Sequence, residues 1–580
     1  MGVTVRVTGA SPLRIGVEKT KWAGGGSNTG VVTPEQYGAA GNGVTDDAPA
    51  LKAALESGKP VVLTQDLHLF STIVTRDKDV FLDGQGHTLF LHGADMDGNT
   101  ASGGTGGQCI DVGATWNEGI IDDADVVIYT EDAGYNPTNP AFPEKSWYRR
   151  GYLSYHGFNP TPDKEVYEHY TTRSWREVRV DFRNVNFVGD HTDGLKYLRL
   201  NLVCNSNVDN CTFLCTTIDG AAIGVKVDYG YNVMLTRIRC EGFTCNTARS
   251  ILSTGYGIQA IGDAILISNC IIKNCKNHIN IGGGSGNSGI FTTGAIIDNV
   301  VLQTTDTGEY TADGSDNKLY QQMLDLHEGC HHPIINNVIL EYENAMGEDD
   351  WGTMIHLSCP EATVSNVFCR FQQAYGGPDG SFAICYFGFG PLVKRMEFNN
   401  VHAQNCYLFP HGWSYESGGA YSANYIREIR INGGEIGGIY GDRKQASGLV
   451  KVRLNNVRIG GSVRCAHLYA DSCVFKNENQ MVAKEQIEIE QEGFFTNCDI
   501  WGYTLGGYRK SKPLIKAPPN SVWMTNCILR KPLDVQLFKT EQTHLVNNAI
   551  YDLYGLVLGS KTSEVYSDGD ECELDKFNLW

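Results

Sequence analysis

The sequence predicts an all-β fold, a single-stranded parallel β-helix (solenoid) with a short helix near its start. Three observations predict it. A short phrase, Asn followed by Cys or Val within a strand-like run, recurs along most of the chain, as in "VDNCTFLC" (208–215) and "ISNCIIKNC" (267–275). Successive copies are separated by about the length of one solenoid coil, so each would occupy the same angular position on its own turn. A Gly-rich turn, a helical pattern and an apolar strand precede the first copies, at 33–63.

The repeated phrase also accounts for the 18 cysteines of the chain. Inward Val, Ile, Leu and Cys would fill the axis, because a single coil can bury its apolar side only against the coils above and below it. Asn would lie at a bend, where its amide can bond its neighbours in the next coil. The cysteines recur with the phrase and not in C-x-x-C clusters. They are therefore predicted to be small buried hydrophobic residues, not metal ligands or redox groups.

The segment at 33–63, "TPEQYGAAGNGVTDDAPALKAALESGKPVVL", resembles the opening segment of the pectate-lyase (pectin-lyase-like) superfamily. The match departs from the usual pattern mainly at Asn42 and Ala48, where that superfamily has Asp and Thr. The resemblance implies a capping helix that closes one end of a right-handed parallel β-helix. Asp46 and Asp47 are accordingly expected to be cap and turn residues and not a catalytic pair.

Composition divides the chain into three parts. Residues 1–32 contain no coil phrase and end in "WAGGGSNTG", which has the composition of a flexible linker, so they are predicted to be a separate attachment segment. The solenoid is predicted over 33–535, and a last coil with a C-terminal cap over 536–580. An insertion at 129–176 is polar, proline-rich and dense in aromatic residues. It would form either one wall of a glycan groove or a loop that packs against the rest of the protein.

Charge and hydropathy exclude some partners. The chain has 66 acidic and 47 basic residues, and its net charge of -19 repels nucleic acid phosphates and anionic membrane surfaces. It contains no run of ~18 apolar residues, and its start lacks the pattern of a secretion signal. We therefore expect no nucleic acid binding and no membrane insertion. The sequence indicates no cofactor.

The stretch "HEGCH" (327–331) fits the zinc-protease pattern H-E-x-x-H. That pattern requires a helix, which places both histidines on one face. Gly329 weakens a helix, Pro333 follows closely, and the next residues, "IINNVILEY", are typical of a strand. The sequence therefore predicts strands here and no zinc protease.

Two consecutive segments, 323–338 and 352–367, predict a line of polar side chains on one face of the coils. Alignment of "MLDLHEGCHHPIINNV" with "GTMIHLSCPEATVSNV" on their Asn-Val phrases matches Leu326 with Ile355 and His327 with His356. Alternation with period two then directs Leu326 and Ile355 inward and Asp325, His327 and His356 outward. The same strand in other coils presents further polar residues, which we predict to bind substrate: Lys226, Asp228, Gln259 and Asn280, with Tyr386 in a later coil.

Asp325, His327 and His356 would lie within reach of one sugar unit, because adjacent coils are ~4.8 Å apart. Asp228 would be ~15 Å away, which is too far to pair with Asp325. One reaction that this cluster could perform is the β-elimination of a uronic acid. His327 or His356 would then be the base, and Tyr386 the acid.

A glycoside hydrolase is the second reaction. It requires two carboxyl groups, which Asp325 with Glu328 or Asp350 could supply. Two alternatives stay open. The residues could be solvated side chains with no catalytic role, or Asp325 and both histidines could hold a divalent ion.

Two further segments have some likeness to sugar sites. "HTDG" (191–194) is similar to the Asn-Thr-Asp-Gly motif of polygalacturonases, but the other motifs of that family are missing, so no catalytic role is carried over to its aspartate. Trp413, Tyr415 and Glu416 lie together in a loop that would either extend a sugar site or pack against the protein.

A β-helix of this type without a secretion signal is the combination found in bacteriophage tailspikes. The resemblance implies a protein of the virion tail that is assembled in the host cytoplasm, is attached to a tail or baseplate protein through residues 1–32, and forms a homotrimer. The predicted function is to bind a bacterial surface polysaccharide and to depolymerise it. The alternatives are a glycan-binding or structural tail fibre without enzymatic activity, and a bacterial polysaccharide lyase or glycoside hydrolase that lacks its signal peptide.

Overall fold

The protein is described by a computed structural model in which the following parts of the chain are defined. They are residues 2–4, 16–18, 30–92, 107–114, 178–190, 195–216, 222–243, 255–282, 292–304, 322–326, 330–331, 333–342, 353–357, 359, 361–371, 382–386, 395–409, 428–440, 451–476, 487–501, 514–531, 538–539, 543–552 and 557–561. The insertion predicted at 129–176 lies outside them.

The chain divides into two compact units, residues 1–334 and 335–580. Each is an all-β solenoid in which strands of successive coils pair in parallel, so the predicted parallel β-helix is confirmed. The strands of the first unit are β1 Gly2–Thr4, β2 Gly16–Glu18, β3 Val61–Val62, β4 Leu67–Leu69, β5 Ile73–Arg76, β6 Val80–Asp83, β7 Thr88–Leu91, β8 Gln108–Gly113, β9 Val180–Arg183, β10 Asn186–Gly189, β11 Lys196–Asn201, β12 Cys204–Asp209, β13 Thr212–Cys215, β14 Ile223–Thr236, β15 Arg239–Glu241, β16 Tyr256–Ser268, β17 Ile271–Lys273, β18 Asn277–Ile281, β19 Thr292–Thr293, β20 Ile296–Thr304, β21 Gln322–Leu326 and β22 Cys330–His331.

The second unit has the same kind of coil, and the strand predicted from "IINNVILEY", of which all but Ile334 belongs to this unit, is its first element. Its last two strands pair antiparallel. The strands are β23 Ile334–Tyr342, β24 Thr353–Leu357, β25 Glu361–Phe371, β26 Phe382–Tyr386, β27 Arg395–Phe409, β28 Glu428–Tyr440, β29 Lys451–Asn455, β30 Arg458–Ile459, β31 Val463–Asp471, β32 Val474–Lys476, β33 Ile487–Thr496, β34 Asp499–Trp501, β35 Ile515–Lys516, β36 Val522–Thr525, β37 Ile528–Lys531, β38 Phe538–Lys539, β39 Thr543–Val546, β40 Asn548–Asp552 and β41 Val557–Lys561.

The start of the first solenoid contains a 3₁₀ turn, Pro34–Tyr37, and one helix, α1, Ala48–Leu55. Asp47 is fully buried, and its carboxylate accepts backbone N–H groups of Ala40 at 2.7 Å and His68 at 3.0 Å. Asp46 accepts the N–H of Ala48 at 3.0 Å. Both carboxylates therefore fasten the Gly-rich turn and the helix start to the first coil, as predicted.

An asparagine ladder marks one turn of each coil in the first unit. Asn184, Asn210, Asn269 and Asn299 all have positive φ, between 53° and 57°. Asn tolerates this left-handed conformation better than other residues with a Cβ. The side-chain amide of Asn210 donates to Asn184 at 2.8 Å, and that of Asn299 donates to Asn269 at 2.6 Å. The bend and the coil-to-coil amide bonds predicted for the phrase are thus confirmed.

The second unit has the same ladder. Asn400 donates to Asn366 at 2.9 Å, and Asn547 donates to Asn526 at 2.8 Å. In the coil between 428 and 440, which the sequence analysis did not recognise, Gly433 takes the turn position with φ 69°. Glycine is the other residue that accepts this conformation, and this explains why the phrase is missing from that coil.

Two ladder positions are occupied by residues for which positive φ is unusual. Arg237 has φ 56° and pairs with Asp209 through its guanidinium group. Ser472 has φ 55°, and its short side chain reaches only Asp471, at 3.3 Å. Arg237 therefore interrupts the ladder in the first unit, and Gly433 and Ser472 interrupt it in the second.

Inward side chains of successive coils form the core. Val, Ile and Leu at these positions are almost completely buried, for example Val225, Ile258 and Ile279, which pair in register. Among the cysteines whose side chains the structure describes, all are free thiols and all but Cys369 are buried. Burial raises the pKa of Cys211 to about 12. The prediction that the cysteines are small core residues is confirmed.

Candidate functional site

The line of polar side chains predicted from the sequence exists in the first unit. We call it the polar track, and it includes Lys226, Gln259, Asn280 and Asp325. Parallel pairing places Lys226 opposite Gln259 and Gln259 opposite Asn280. The next strand brings Asp325 opposite Asn280. The predicted register of these four residues is therefore confirmed.

The exposure expected for this face is wrong. Asp325 and His356 were expected on a solvated outward face, but they are only 2% and 7% exposed. Asn280 is 1% exposed, and all residues of β18 are buried, so both faces of that strand are covered. Alternation with period two identifies the side chains that face the axis, but it does not determine whether the opposite side meets solvent.

The buried part of the track is bonded to itself. Asn280 donates its amide to Asp325 Oδ2 at 2.6 Å, and Asn277 donates to the same oxygen at 3.2 Å. Gln259 donates to Asn280 Oδ1 at 3.4 Å. Because polar groups away from water must find partners, these amides and the carboxylate hold one another in fixed positions. This arrangement is typical of a structural network.

The other end of the track is a cluster of ion pairs that the sequence analysis missed. Arg199 lies opposite Lys226 in register, and its guanidinium group contacts two carboxylates, Asp228 at 2.7 Å and Asp111 at 3.3 Å. Arg76 contacts Asp111 at 2.6 Å, and Lys226 contacts Asp228 at 3.3 Å. Both carboxylates are buried, whereas the side chains of Arg199 and Lys226 are 24% and 16% exposed.

Lys196 adds another cation beside this cluster. It is 4% exposed, and burial, together with the positive charges of Lys226 and Arg199, lowers its pKa to about 8. The two carboxylates act in the opposite direction but do not compensate. Within the described part of the first unit, the cluster thus holds four cations against two carboxylates, in a chain whose net charge is strongly negative.

The other predicted site residues lie in the second unit or outside the described residues. Tyr386 is the last residue of β26, and His356 belongs to β24, both in the second unit, whereas Asp325 belongs to the first. Six candidates lie outside the described residues: His327, Glu328, Asp350, Trp413, Tyr415 and Glu416.

A second polar surface occurs in the second unit, on the strands that precede the asparagine turn. Three successive coils each place two outward side chains there, and their inward neighbours, such as Met396, Ile429 and Val452, are fully buried. The six outward residues, which we call the charged grid, are Arg395, Glu397, Glu428, Arg430, Lys451 and Arg453.

Glu428 organises the grid. Its carboxylate accepts from Arg453 Nε at 2.6 Å and from Arg430 Nη2 at 3.1 Å. Burial acts to raise the pKa of Glu428, but the two arginines outweigh it and lower the pKa. The guanidinium group of Arg453 also lies 4.5 Å from the ring centre of Tyr469. An open groove of about 330 Å³ is lined by Arg430, Asn432, Arg453, Leu454 and Asn455.

Aromatic rings continue this face through the following coils. Tyr469, Phe494, Trp523 and His544 stack with centroid distances of 5.2, 4.6 and 5.3 Å and interplanar angles of 8° or less. Because each ring covers the face of the next, the ladder offers ring edges to its surroundings and few free faces to a sugar. Stacking along the solenoid is therefore its clearest role.

A hydrogen-bonded trio lies beside the aromatic ladder. Tyr469 donates its hydroxyl to Glu492 at 2.5 Å, and His467 Nδ1 lies 3.1 Å from the same oxygen. The hydrogen bond from Tyr469 lowers the pKa of Glu492 and raises that of Tyr469. These residues were not among the predicted site residues, although "HLYAD" alternates in the same way as the predicted strands.

Within the described ranges, no three His, Cys, Asp or Glu side chains come together as a metal site would require. No helix in this part of the chain has the length and apolar character needed to cross a bilayer.

Comparison with known proteins gives similarities of fold. No protein-family model and no curated protein matches the chain. Among solved structures, the tailspike protein gp49 from Pseudomonas phage LKA1 matches with 12% identity and a TM-score of 0.44, over 84% of this chain and 83% of that chain.

Two other structures are similar over comparable lengths. The tailspike gp61 of Pseudomonas phage phi297 has 11% identity and a TM-score of 0.38, over 90% of this chain and 85% of that one. PfbA, a surface adhesin of Streptococcus pneumoniae, has 10% identity and a TM-score of 0.34, over 92% and 100%. The structural neighbours of this parallel β-helix therefore include phage tailspikes and a bacterial adhesin, and at this level of similarity they identify no activity for it.

Proposed function

We propose that the protein is a receptor-binding protein of the tailspike type, which attaches to a bacterial surface polysaccharide through the cationic end of the polar track in the first unit. The observation that carries the proposal is the pair Arg199 and Lys226. These two partly exposed cations lie in adjacent coils and are held in place by buried carboxylates. The resemblance of residues 33–63 to β-helical glycan-processing proteins supports the same class of function.

The geometry suits recognition of hydroxyl-rich ligands. Arg199 uses Nε and Nη1 for Asp228 and Asp111, which leaves Nη2 for a ligand oxygen. Lys226 directs its ammonium group towards Asp228 and has further N–H donors. Sugar hydroxyls accept such hydrogen bonds, and preorganised donors lose little entropy on binding. Gln259, Asn280 and Asp325 would support these cations from within and would not contact the sugar.

Cleavage of the polysaccharide is the enzymatic form of this proposal. As a lyase, the protein would use His327 or His356 as the base and Tyr386 as the acid. As a hydrolase, it would use Asp325 with Glu328 or Asp350. The burial of Asp325 and its two amide partners weigh against proton transfer by that residue.

The proposal places the protein on the virion tail. Residues 1–32 would attach it to a tail or baseplate protein, and three copies would associate. Analytical ultracentrifugation of the full chain tests the second point, since a monomer at micromolar concentration contradicts a homotrimer. Co-purification of tail proteins with the full chain, but not with a chain that lacks residues 1–32, tests the first.

The decisive experiment uses purified surface polysaccharide from candidate host bacteria. Binding is measured together with chain length, reducing ends and the absorbance of unsaturated uronates. We expect K226Q to weaken binding about tenfold, because a charge-assisted hydrogen bond is lost. The matched control is K273Q, which removes an ammonium group from β17, away from the track. Equal binding by the wild type and K226Q would refute the assignment to this surface.

The products distinguish a lyase, a hydrolase and a protein that binds the polysaccharide without cleaving it. Shortening with new absorbance means a lyase, and shortening with new reducing ends alone means a hydrolase. Polysaccharide that is bound but keeps its length means a receptor-binding protein without enzymatic activity. If polysaccharides from all candidate hosts fail to bind, the glycan-binding function itself is contradicted.

A further inference from the structure

The charged grid of the second unit has a local excess of positive charge. It holds four cations and two carboxylates, whereas the whole chain has a net charge of -19. Three of its cations are well exposed, with side-chain exposures of 46% for Arg395, 39% for Arg430 and 44% for Arg453. A cationic patch on an otherwise acidic protein attracts anions locally while the rest of the surface repels them.

Arg453 differs from Arg395 and Arg430 in the nitrogen that it uses for its carboxylate partner. Its hydrogen bond within the described residues runs from Nε to Glu428, so Nη1 and Nη2 have no hydrogen-bond partner there. These two nitrogens form the fork with which arginine binds the two oxygens of an oxyanion. Arg430 contributes a second guanidinium group from the adjacent coil, ~4.8 Å away, and contacts Glu428 through Nη2.

The fork is held in a defined orientation. Glu428 holds Nε of Arg453, and Cζ of the guanidinium group lies over the ring of Tyr469, 4.5 Å from the ring centre. Such a group loses little conformational freedom when a ligand binds. Beside it, Asn432 and Asn455 bring side-chain amides to the same groove of about 330 Å³, which is large enough for one sugar unit.

We propose that this groove is a second glycan-binding site, separate from the polar track of the first unit, and that it takes a sugar bearing an oxyanion. The oxyanion, a carboxylate or a phosphate or sulfate ester, would lie against Nη1 and Nη2 of Arg453, with Arg430 on its other side. The asparagine amides would accept or donate hydrogen bonds to neighbouring hydroxyls. The chain would thus contact an acidic polysaccharide on two different surfaces.

The site favours a charged sugar over a neutral one for a physical reason. A neutral hydroxyl satisfies one N–H of a guanidinium fork, whereas an oxyanion accepts both and gains charge attraction. The neighbouring aromatic ladder does not supply the free ring face that neutral sugars use, because its rings cover one another.

The test is a calorimetric titration of the full chain with each of four soluble probes. The probes are a glucuronate oligosaccharide, a sulfated oligosaccharide, glucose 6-phosphate and a neutral glucose oligosaccharide. We expect at least one anionic probe to bind and the neutral probe to bind at least tenfold more weakly. R453Q and R453K should each lower the affinity for the anionic probe about tenfold, because Lys keeps the charge but lacks the fork. Which anionic probes bind distinguishes a carboxylate from a phosphate or sulfate ester.

Three variants serve as controls. R370Q removes a more exposed arginine from β25, outside the grid, and should leave the affinity unchanged. K273Q removes an ammonium group from β17 of the first unit, outside both proposed sites, and should also bind the anionic probe normally. R430Q should give a smaller loss than R453Q, and the thermal unfolding midpoints of all variants show whether they are folded.

Each other outcome overturns the proposal in a recognisable way. Equal affinity of the wild type and R453Q for the anionic probes removes the site, even if polysaccharide still binds through Lys226. Binding of neutral and anionic probes with equal affinity removes the oxyanion requirement. If R453Q changes the sedimentation of the protein and leaves probe binding unaltered, the grid is a contact between copies of the chain. The function proposed for the first unit survives all three results.

Discussion

Arg199 in the first unit and Arg453 in the second both point outward from a solenoid strand, but their surroundings differ. Arg199 contacts two carboxylates that are buried, and it is itself 24% exposed. Arg453 shares one half-buried carboxylate with Arg430 and is 44% exposed. The first guanidinium group therefore mainly compensates buried charge and keeps one nitrogen, Nη2, for a ligand, whereas the second presents both Nη1 and Nη2 to the outside.

This difference shows that one repeating backbone can give two kinds of polar surface. Around β18 of the first unit, the outer side of the coil is covered, so polar residues there must satisfy one another and become part of the structure. In the second unit, the outer side remains accessible, and the same residue types can serve a ligand. The distinction predicts which substitutions affect stability and which affect binding.

Replacement of Asp111 should have the largest effect. D111N removes the charge that Arg76 and Arg199 share in a buried position, and loss of one partner of a buried ion pair costs about 3–5 kcal/mol. E428Q removes the corresponding carboxylate of the grid, where exposure limits the loss to about 1 kcal/mol. Urea unfolding of both variants checks this, and similar losses would show that the two surfaces do not differ.

The second-largest expected effect is on the pH dependence of stability. Lys196 has its pKa lowered to about 8, below the ordinary value of 10.5, so above pH 8 the folded protein binds fewer protons than the unfolded chain. This group therefore raises the unfolding free energy as pH increases from about 8 to about 10.5, by roughly 3 kcal/mol in total. K196M should lose this rise. Parallel pH profiles of K196M and the wild type would show that the buried cation cluster has no such effect.

The asparagine ladder is the part that both units share, and its loss should cost the same in each. N269A and N497A place alanine at φ 57° and 54° and remove amide bonds between coils, for a loss of about 1–2 kcal/mol. N269G and N497G restore the backbone preference and should lose less. If N497A were neutral while N269A was destabilising, the units would differ in their turns as well as in their surfaces.

The smallest expected effect is a gain in the free energy of unfolding. S472N would place asparagine where serine now interrupts the ladder of the second unit, beside Asn497. It should raise the unfolding free energy by up to about 1 kcal/mol, because asparagine tolerates positive φ and can bond the next coil. A lower unfolding midpoint for S472N would mean that the gap is adapted to serine.

The repeating elements could be predicted from the sequence because each coil repeats the same constraint. The Asn phrase marks a positive φ, and the alternation around it marks the inward side, so the strands, the ladder and the thiols in the core followed. The opening segment was equally informative, since Asp46 and Asp47 have local partners. The coil with Gly433 was not predicted because glycine meets the same backbone requirement without the asparagine that marks the other coils in the sequence.

The candidate site could be predicted only in part. The register of Lys226, Gln259, Asn280 and Asp325 followed from the repeat, but their burial did not, because it depends on what covers the outer side of the coil. The ion pairs of Arg199 join residues 29 and 88 positions apart in the chain, and no local pattern indicates them. The grid was overlooked since single arginines in "REIRING" and "KVRLNN" resemble ordinary surface charges until the coils are aligned.

The buried thiols make the solenoid its own unfolding reporter. Cys211 and Cys270 lie on coils that are separated by one further coil, and burial raises the pKa of each to about 12, so thiol reagents should react with these two only slowly in the native protein. Cys498 is likewise a buried free thiol, on a coil of the second unit. Labelling rates measured thiol by thiol with mass spectrometry would therefore time the opening of individual coils, and would reveal whether the two units come apart together or in sequence.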